Sequence, residues 1–121
     1  MYLLLIFIGG GLGSLARYGL SLLFPYRDAF PTATFCANLA ASFILGLFLG
    51  WMSKLDVEGD NQLKWFLATG FCGGFSTFST FSAETLQLIK AQQWTLAAVY
   101  ILSSVLLSLV LLGLGFYWGN R

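Results

Sequence analysis

Charge is scarce in this sequence and histidine is absent. Of 121 residues, 9% are Asp, Glu, Lys or Arg, while 58% are hydrophobic. Soluble domains carry about 25% charged residues, so composition excludes an ordinary soluble enzyme. Six basic against five acidic side chains give a net charge of +1, which offers nucleic acid no basic patch. The lack of histidine removes the commonest general base and metal ligand. No nucleophile has an evident base nearby, so no enzyme activity is expected. The two cysteines, Cys36 and Cys72, lie in apolar runs without metal-binding spacing. They read as small buried hydrophobes. The first 26 residues lack the basic start of a cleaved signal and are followed by further apolar runs.

What is present is long uncharged sequence. Residues 29–53, 65–83 and 91–120 carry no charge, and 1–26 is interrupted by Arg17 alone. Each run approaches the roughly 20 residues that span a bilayer as a helix. Backbone polar groups must be satisfied within lipid, so four transmembrane helices are expected, at about 2–24, 32–53, 63–90 and 94–118. They form one domain over 1–121. Pro25 and Pro31 bracket the first loop. The segment KLDVEGDNQLK, residues 54–64, holds five of the eleven charges and is the one strongly polar loop.

Topology is ambiguous in an informative way. Lys54, Lys64 and Arg121 fall on one side, and Arg17, Arg27 and Lys90 on the other. Equal basic counts give the positive-inside rule nothing to act on. Either an unseen bias orients the chain, or it inserts both ways and builds an antiparallel homodimer, a two-chain version of an inverted repeat. Gly9 with Gly13, and Gly46 with Gly50, supply small-residue contact faces.

The glycines of GGGLGSLARY, residues 9–18, do not form a dinucleotide loop, because no strand precedes them. GFCGGFS, residues 70–76, lacks the lysine of a phosphate loop. Arg17, near the end of the first helix, either snorkels to the interface or has a fixed role at a loop or an anion entrance. TGFCGGFSTFSTFSAET, residues 69–85, is the most informative stretch. Gly73 and Gly74 allow the third helix to break near mid-membrane, where freed carbonyls would line a cavity or bind a small cation such as sodium. Otherwise they are a packing notch. Phe78 and Phe81 share a face, either as core or with their positive ring edges turned to an anion. Thr34, Asn38 and Ser42 make one polar stripe, and Tyr100, Ser104 and Ser108 another. Such stripes either replace an anion's water shell or bond helix to helix. Glu84 lies one turn past Thr80 and near Lys90, so an ion pair competes there with a pathway role.

GGGLGSLARY, ANLAASFILG at 37–46 and TGFCGGFSTFSTFS together resemble the Fluc/CrcB fluoride channel family of bacterial inner membranes. The resemblance covers nearly the whole chain, and its third motif is highly specific. It implies passive fluoride export that protects the cell, through a dual-topology homodimer in the lipid bilayer with two antiparallel pores. It implies a structural sodium ion at the dimer interface, held by backbone carbonyls of Gly73 and Ser76 from both subunits. Its pore residues would be Asn38, Phe78, Phe81, Thr34, Tyr100, Ser104 and Ser108, with Thr77, Thr80 and Glu84 beside them and Arg17 at the entrance. Ser76 replaces the usual threonine and Ala41 the usual glycine. A small multidrug-exporter subunit is the first alternative, but its first helix would need an acidic residue, and this one has none. A non-transporting membrane assembly subunit is the second.

Overall fold

The computed structural model describes residues 1–25, 30–55 and 61–121. The loop charges at 27, 28, 56, 58 and 60 lie outside the described residues. Helix α1 is Tyr2–Leu23 and α2 is Thr32–Lys54. A π-helical segment, Lys64–Cys72, runs into one α turn, α3, Gly73–Phe75. Helix α4 is Phe78–Lys90 and α5 is Trp94–Gly119. No strand occurs among the described residues. Helices α1, α2 and α5 are each long and apolar enough to cross a membrane. Their outward faces carry Leu3, Phe7, Leu102 and Leu109, all well exposed, as lipid-facing helices require.

Glycine decides which helices meet. A Cβ on Gly9 would strike the carbonyl oxygen of Phe66, and one on Gly13 that of Phe71. Helix α1 therefore lies directly on the π segment. Gly46 and Gly50 meet the carbonyls of Leu112 and Phe116 in the same way, seating α2 on α5. Both small-residue pairs serve contacts within the chain. Without a water-driven hydrophobic effect between helices, such close approach supplies the dispersion that holds them together.

Two clusters fill the spaces left. Ala37, Ala41 and Phe75 pack with Ala16, Leu20 and Phe71, joining α1, α2 and α3. Ala41 is 2% exposed, so its methyl group is core. Leu88, Ala97 and Tyr100 pack with Phe30, Phe35 and Phe81, joining α4 and α5 to the start of α2. Gln92 closes α4 in the left-handed conformation with φ 61. The Gln93 N–H then donates to the Leu88 carbonyl at 2.9 Å, a Schellman closure.

Candidate functional site

Between α3 and α4 the backbone leaves helical geometry. Gly73 is itself helical, with φ −64 and ψ −37. The extended residues are Ser76 (ψ 156) and Thr77 (φ −153, ψ 117). Gly74 is held against the Gly10 carbonyl of α1, so its missing side chain serves packing. The departure thus lies just after the glycine pair.

Side chains take over the backbone bonds lost there. Asn38 Oδ1 accepts from the Thr77 N–H at 2.8 Å, and Asn38 Nδ2 donates to the Thr77 carbonyl at 3.4 Å. Thr77 Oγ1 caps α4 by accepting from the Thr80 N–H at 3.2 Å. In a continuous helix the Thr77 and Thr80 N–H groups would bond the carbonyls of Gly73 and Ser76. Both donors are instead committed to side-chain oxygens. Neither carbonyl therefore receives its helical N–H partner. Ser76 turns its own hydroxyl back to the Cys72 carbonyl at 2.7 Å.

The predicted side chains, Tyr100 apart, gather around three adjoining pockets. A pocket of about 420 Å³ is lined by Arg17, Thr34, Thr80 and Glu84, with Ser14 and Tyr18. A second, about 340 Å³, is lined by Asn38, Thr77, Phe78, Phe81, Ser104 and Ser108, with Ser42 and Ser76. A third, about 160 Å³, takes in Gly73 and Ser76 beside Ser42 and Cys72. Thr77 Oγ1 and Thr80 Oγ1 lie 3.2 Å apart and join the first pocket to the second. Ser42 and Ser76 are common to the second and third.

Within the first pocket Arg17 is turned inward. Its Nη1 donates to Thr80 Oγ1 at 3.4 Å, and its Nε is buried with no hydrogen-bond partner among the described residues. Glu84 is held by hydroxyls: Thr34 Oγ1 donates to Oε1 at 2.8 Å and Tyr100 OH to Oε2 at 2.9 Å. The Phe78 and Phe81 rings meet at 5.8 Å between centroids, and Phe81 continues onto Tyr100 at 5.0 Å. Phe78 is 81% exposed.

The polar stripes do more than offer donors to a pathway. Thr34 is committed to Glu84, Asn38 to Thr77, and Ser42 Oγ to the Asn38 carbonyl at 2.8 Å. Ser104 differs: its residue is 5% exposed and its hydroxyl has no partner among the described residues. Periodicity missed Ser14, which donates to the Gly74 carbonyl at 3.5 Å, because it stood inside a glycine run read as packing. It also missed Thr85, buried and bonded to the Phe81 carbonyl at 2.8 Å. A threonine one turn after Phe81 was the available signal for that back-bond.

The family described as CrcB-like protein, Camphor Resistance (CrcB), matches residues 4–116. A protein of Pyrococcus abyssi named fluoride-specific ion channel FluC is 45% identical over 118 residues, covering 98% of this chain and 95% of the relative. A protein of that name from Pyrococcus furiosus is 46% identical, covering 97% and 94%. One from Escherichia fergusonii is 42% identical over 116 residues, covering 95% and 91%.

Proposed function

The chain belongs to the CrcB family and is a fluoride channel, and we propose that fluoride leaves the cytoplasm passively along the Phe78–Phe81 wall, giving fluoride resistance. The observation that carries this route is the second pocket. It is lined by both the Phe78 and Phe81 rings and by buried Ser104, whose hydroxyl has no partner among the described residues. Fluoride is small and strongly hydrated, so it needs closely spaced donors to replace its water. Ring edges attract it weakly, and a hydroxyl can donate without holding it as a lysine would. Arg17 lends positive potential at the entrance. Thr80, Thr77 and Asn38 continue the path, with Thr34, Glu84 and Ser108 along its sides and Tyr100 behind Glu84. Nothing favours a proton-coupled drug exporter, because both oxygens of Glu84 are occupied by hydroxyls.

The working unit in this proposal is an antiparallel homodimer in the bacterial plasma membrane. The even basic count supports insertion both ways. The exposure of Phe78 and of Gly73 supports a second copy covering that face. The break between α3 and α4 then lies near mid-membrane, and the Gly73 and Ser76 carbonyls of two copies hold a structural sodium ion, which fixes charge and geometry at the interface. A reporter fused at the C-terminus should appear on both membrane faces; one face alone removes the antiparallel dimer.

The test of function is ion efflux from liposomes holding the purified protein, read with fluoride and chloride electrodes. Rapid fluoride loss with chloride retained is expected. A folded protein that passes no fluoride in sodium-containing buffer overturns the assignment.

A further inference from the structure

We propose that Asn38 is a positioning residue for the cation site as well as a pore residue: by holding the Thr77 N–H, it keeps the Gly73 carbonyl free to bind sodium. This inference rests on the sodium site proposed above.

One donor at the break has two competing acceptors. The Thr77 N–H must be bonded, because an unsatisfied amide in a dry membrane interior is costly. In sequence its nearest acceptor is the Gly73 carbonyl, four residues back, which would add one more turn to α3. The structure gives that N–H to Asn38 Oδ1 instead, at 2.8 Å. The same amide grips the Thr77 carbonyl from its other end, at 3.4 Å. A planar side chain thus brackets one extended residue and holds it out of the helix. Asn38 can do this because it stands on α2 facing the break, next to Ala37 and one turn from Ala41, both buried against Phe75 of α3. The depth of that packing fixes the reach of the amide.

A second lock works one step along the chain. Thr77 Oγ1 takes the Thr80 N–H, which would otherwise return to the Ser76 carbonyl. Because Asn38 orients Thr77, it controls this cap as well. Both predicted cation ligands therefore depend on one α2 side chain that lines the neighbouring pocket. Sodium affinity and the pore are coupled through Asn38.

The test reads sodium binding without reading conduction. Sodium is titrated against N-methylglucamine at constant ionic strength, and the thermal unfolding midpoint of the purified protein is followed. Wild type should rise saturably with sodium. Asn38→Leu removes both bonds and lets the Thr77 N–H return to Gly73. Its half-saturating sodium should rise by about tenfold or more, the equivalent of one lost hydrogen bond near 1.4 kcal/mol. Asn38→Asp keeps the acceptor for the Thr77 N–H, so it should retain the sodium response while losing fluoride flux through its added charge. Ser104→Ala, which alters the same pocket away from the break, should keep it too. A wild-type sodium response in Asn38→Leu overturns the coupling and leaves the sodium site standing. So does loss of the response in Asn38→Asp. No sodium-dependent rise in wild type removes the sodium site itself, and the coupling with it.

Discussion

Tyr100 on α5 donates its hydroxyl to Glu84 Oε2 on α4 at 2.9 Å, and Tyr100 is fully buried. With Thr34 on Oε1, three helices converge on one carboxylate. The acid is thereby fixed at the edge of the first pocket, and its two oxygens point at hydroxyls from α2 and α5.

Tyr100→Phe should therefore weaken the junction of α4 and α5 without disturbing the ring stack on Phe81. Hydrogen bonds to charged groups contribute about 1.5–3 kcal/mol in soluble proteins, but membrane bonds average about 0.6 kcal/mol. The half-buried setting of Glu84 favours a loss of about 1 kcal/mol, read as a lower thermal midpoint. An unchanged midpoint means that the Tyr100 hydroxyl contributes nothing net there.

The glycine contacts make a paired prediction. A Cβ at Gly13 meets the backbone of Phe71 and Phe75, which cannot rotate away, whereas nothing lies within 4 Å of a Cβ at Gly11. Gly13→Ala should destabilise by about 1–3 kcal/mol, the usual cost of overpacking. Gly11→Ala should be neutral or slightly stabilising, since alanine favours helix. Thermal unfolding of the two variants decides it. Equal midpoints mean that α1 does not sit on the π segment as described.

How much of this could be read in the residues depended on which interaction was local. The long apolar runs fixed α1, α2 and α5 to within a residue or two, because lipid leaves the backbone no other choice. The third span was harder. Its glycines drew attention to Gly73 and Gly74, yet the extended residues are Ser76 and Thr77. Glycine permits a departure from helix without requiring one. The Thr77 N–H goes to Asn38, 39 residues away, and no window along the chain brings that partner into view. Phe78 and Phe81 were legible as a pair because spacing of three puts two rings on one face. Glu84 was not: Lys90 was its neighbour in sequence, while Thr34 and Tyr100 are its partners in space.

The two phenylalanines should separate stability from conduction. Phe78 is 81% exposed, whereas Phe81 packs on Tyr100 at 5.0 Å. Phe78→Ile should leave the folded chain intact, and Phe81→Ile should destabilise it by about 1–2 kcal/mol through lost ring contact, read as a lower unfolding midpoint. Both should reduce fluoride efflux from liposomes at least about tenfold, because an aliphatic side chain presents no positive edge. Normal efflux in both variants takes the ring edges out of the permeation route.

Ser104 gives the sharpest division between folding and function. Its hydroxyl is buried and has no partner among the described residues, next to Phe81 and Asn38 in the second pocket. A polar group left in that condition costs about 1–3 kcal/mol, so a purely structural side chain there would be better as alanine. Ser104→Ala should hold or raise the thermal midpoint. If the hydroxyl donates to fluoride in transit, the same substitution should lower fluoride efflux, while Ser104→Thr, which keeps the donor, should lose less. Stability and flux moving in opposite directions identify a group kept for the ion. A variant that is less stable and conducts normally shows the hydroxyl to be an internal bond of the fold, and the donor to fluoride must then be sought at Ser108.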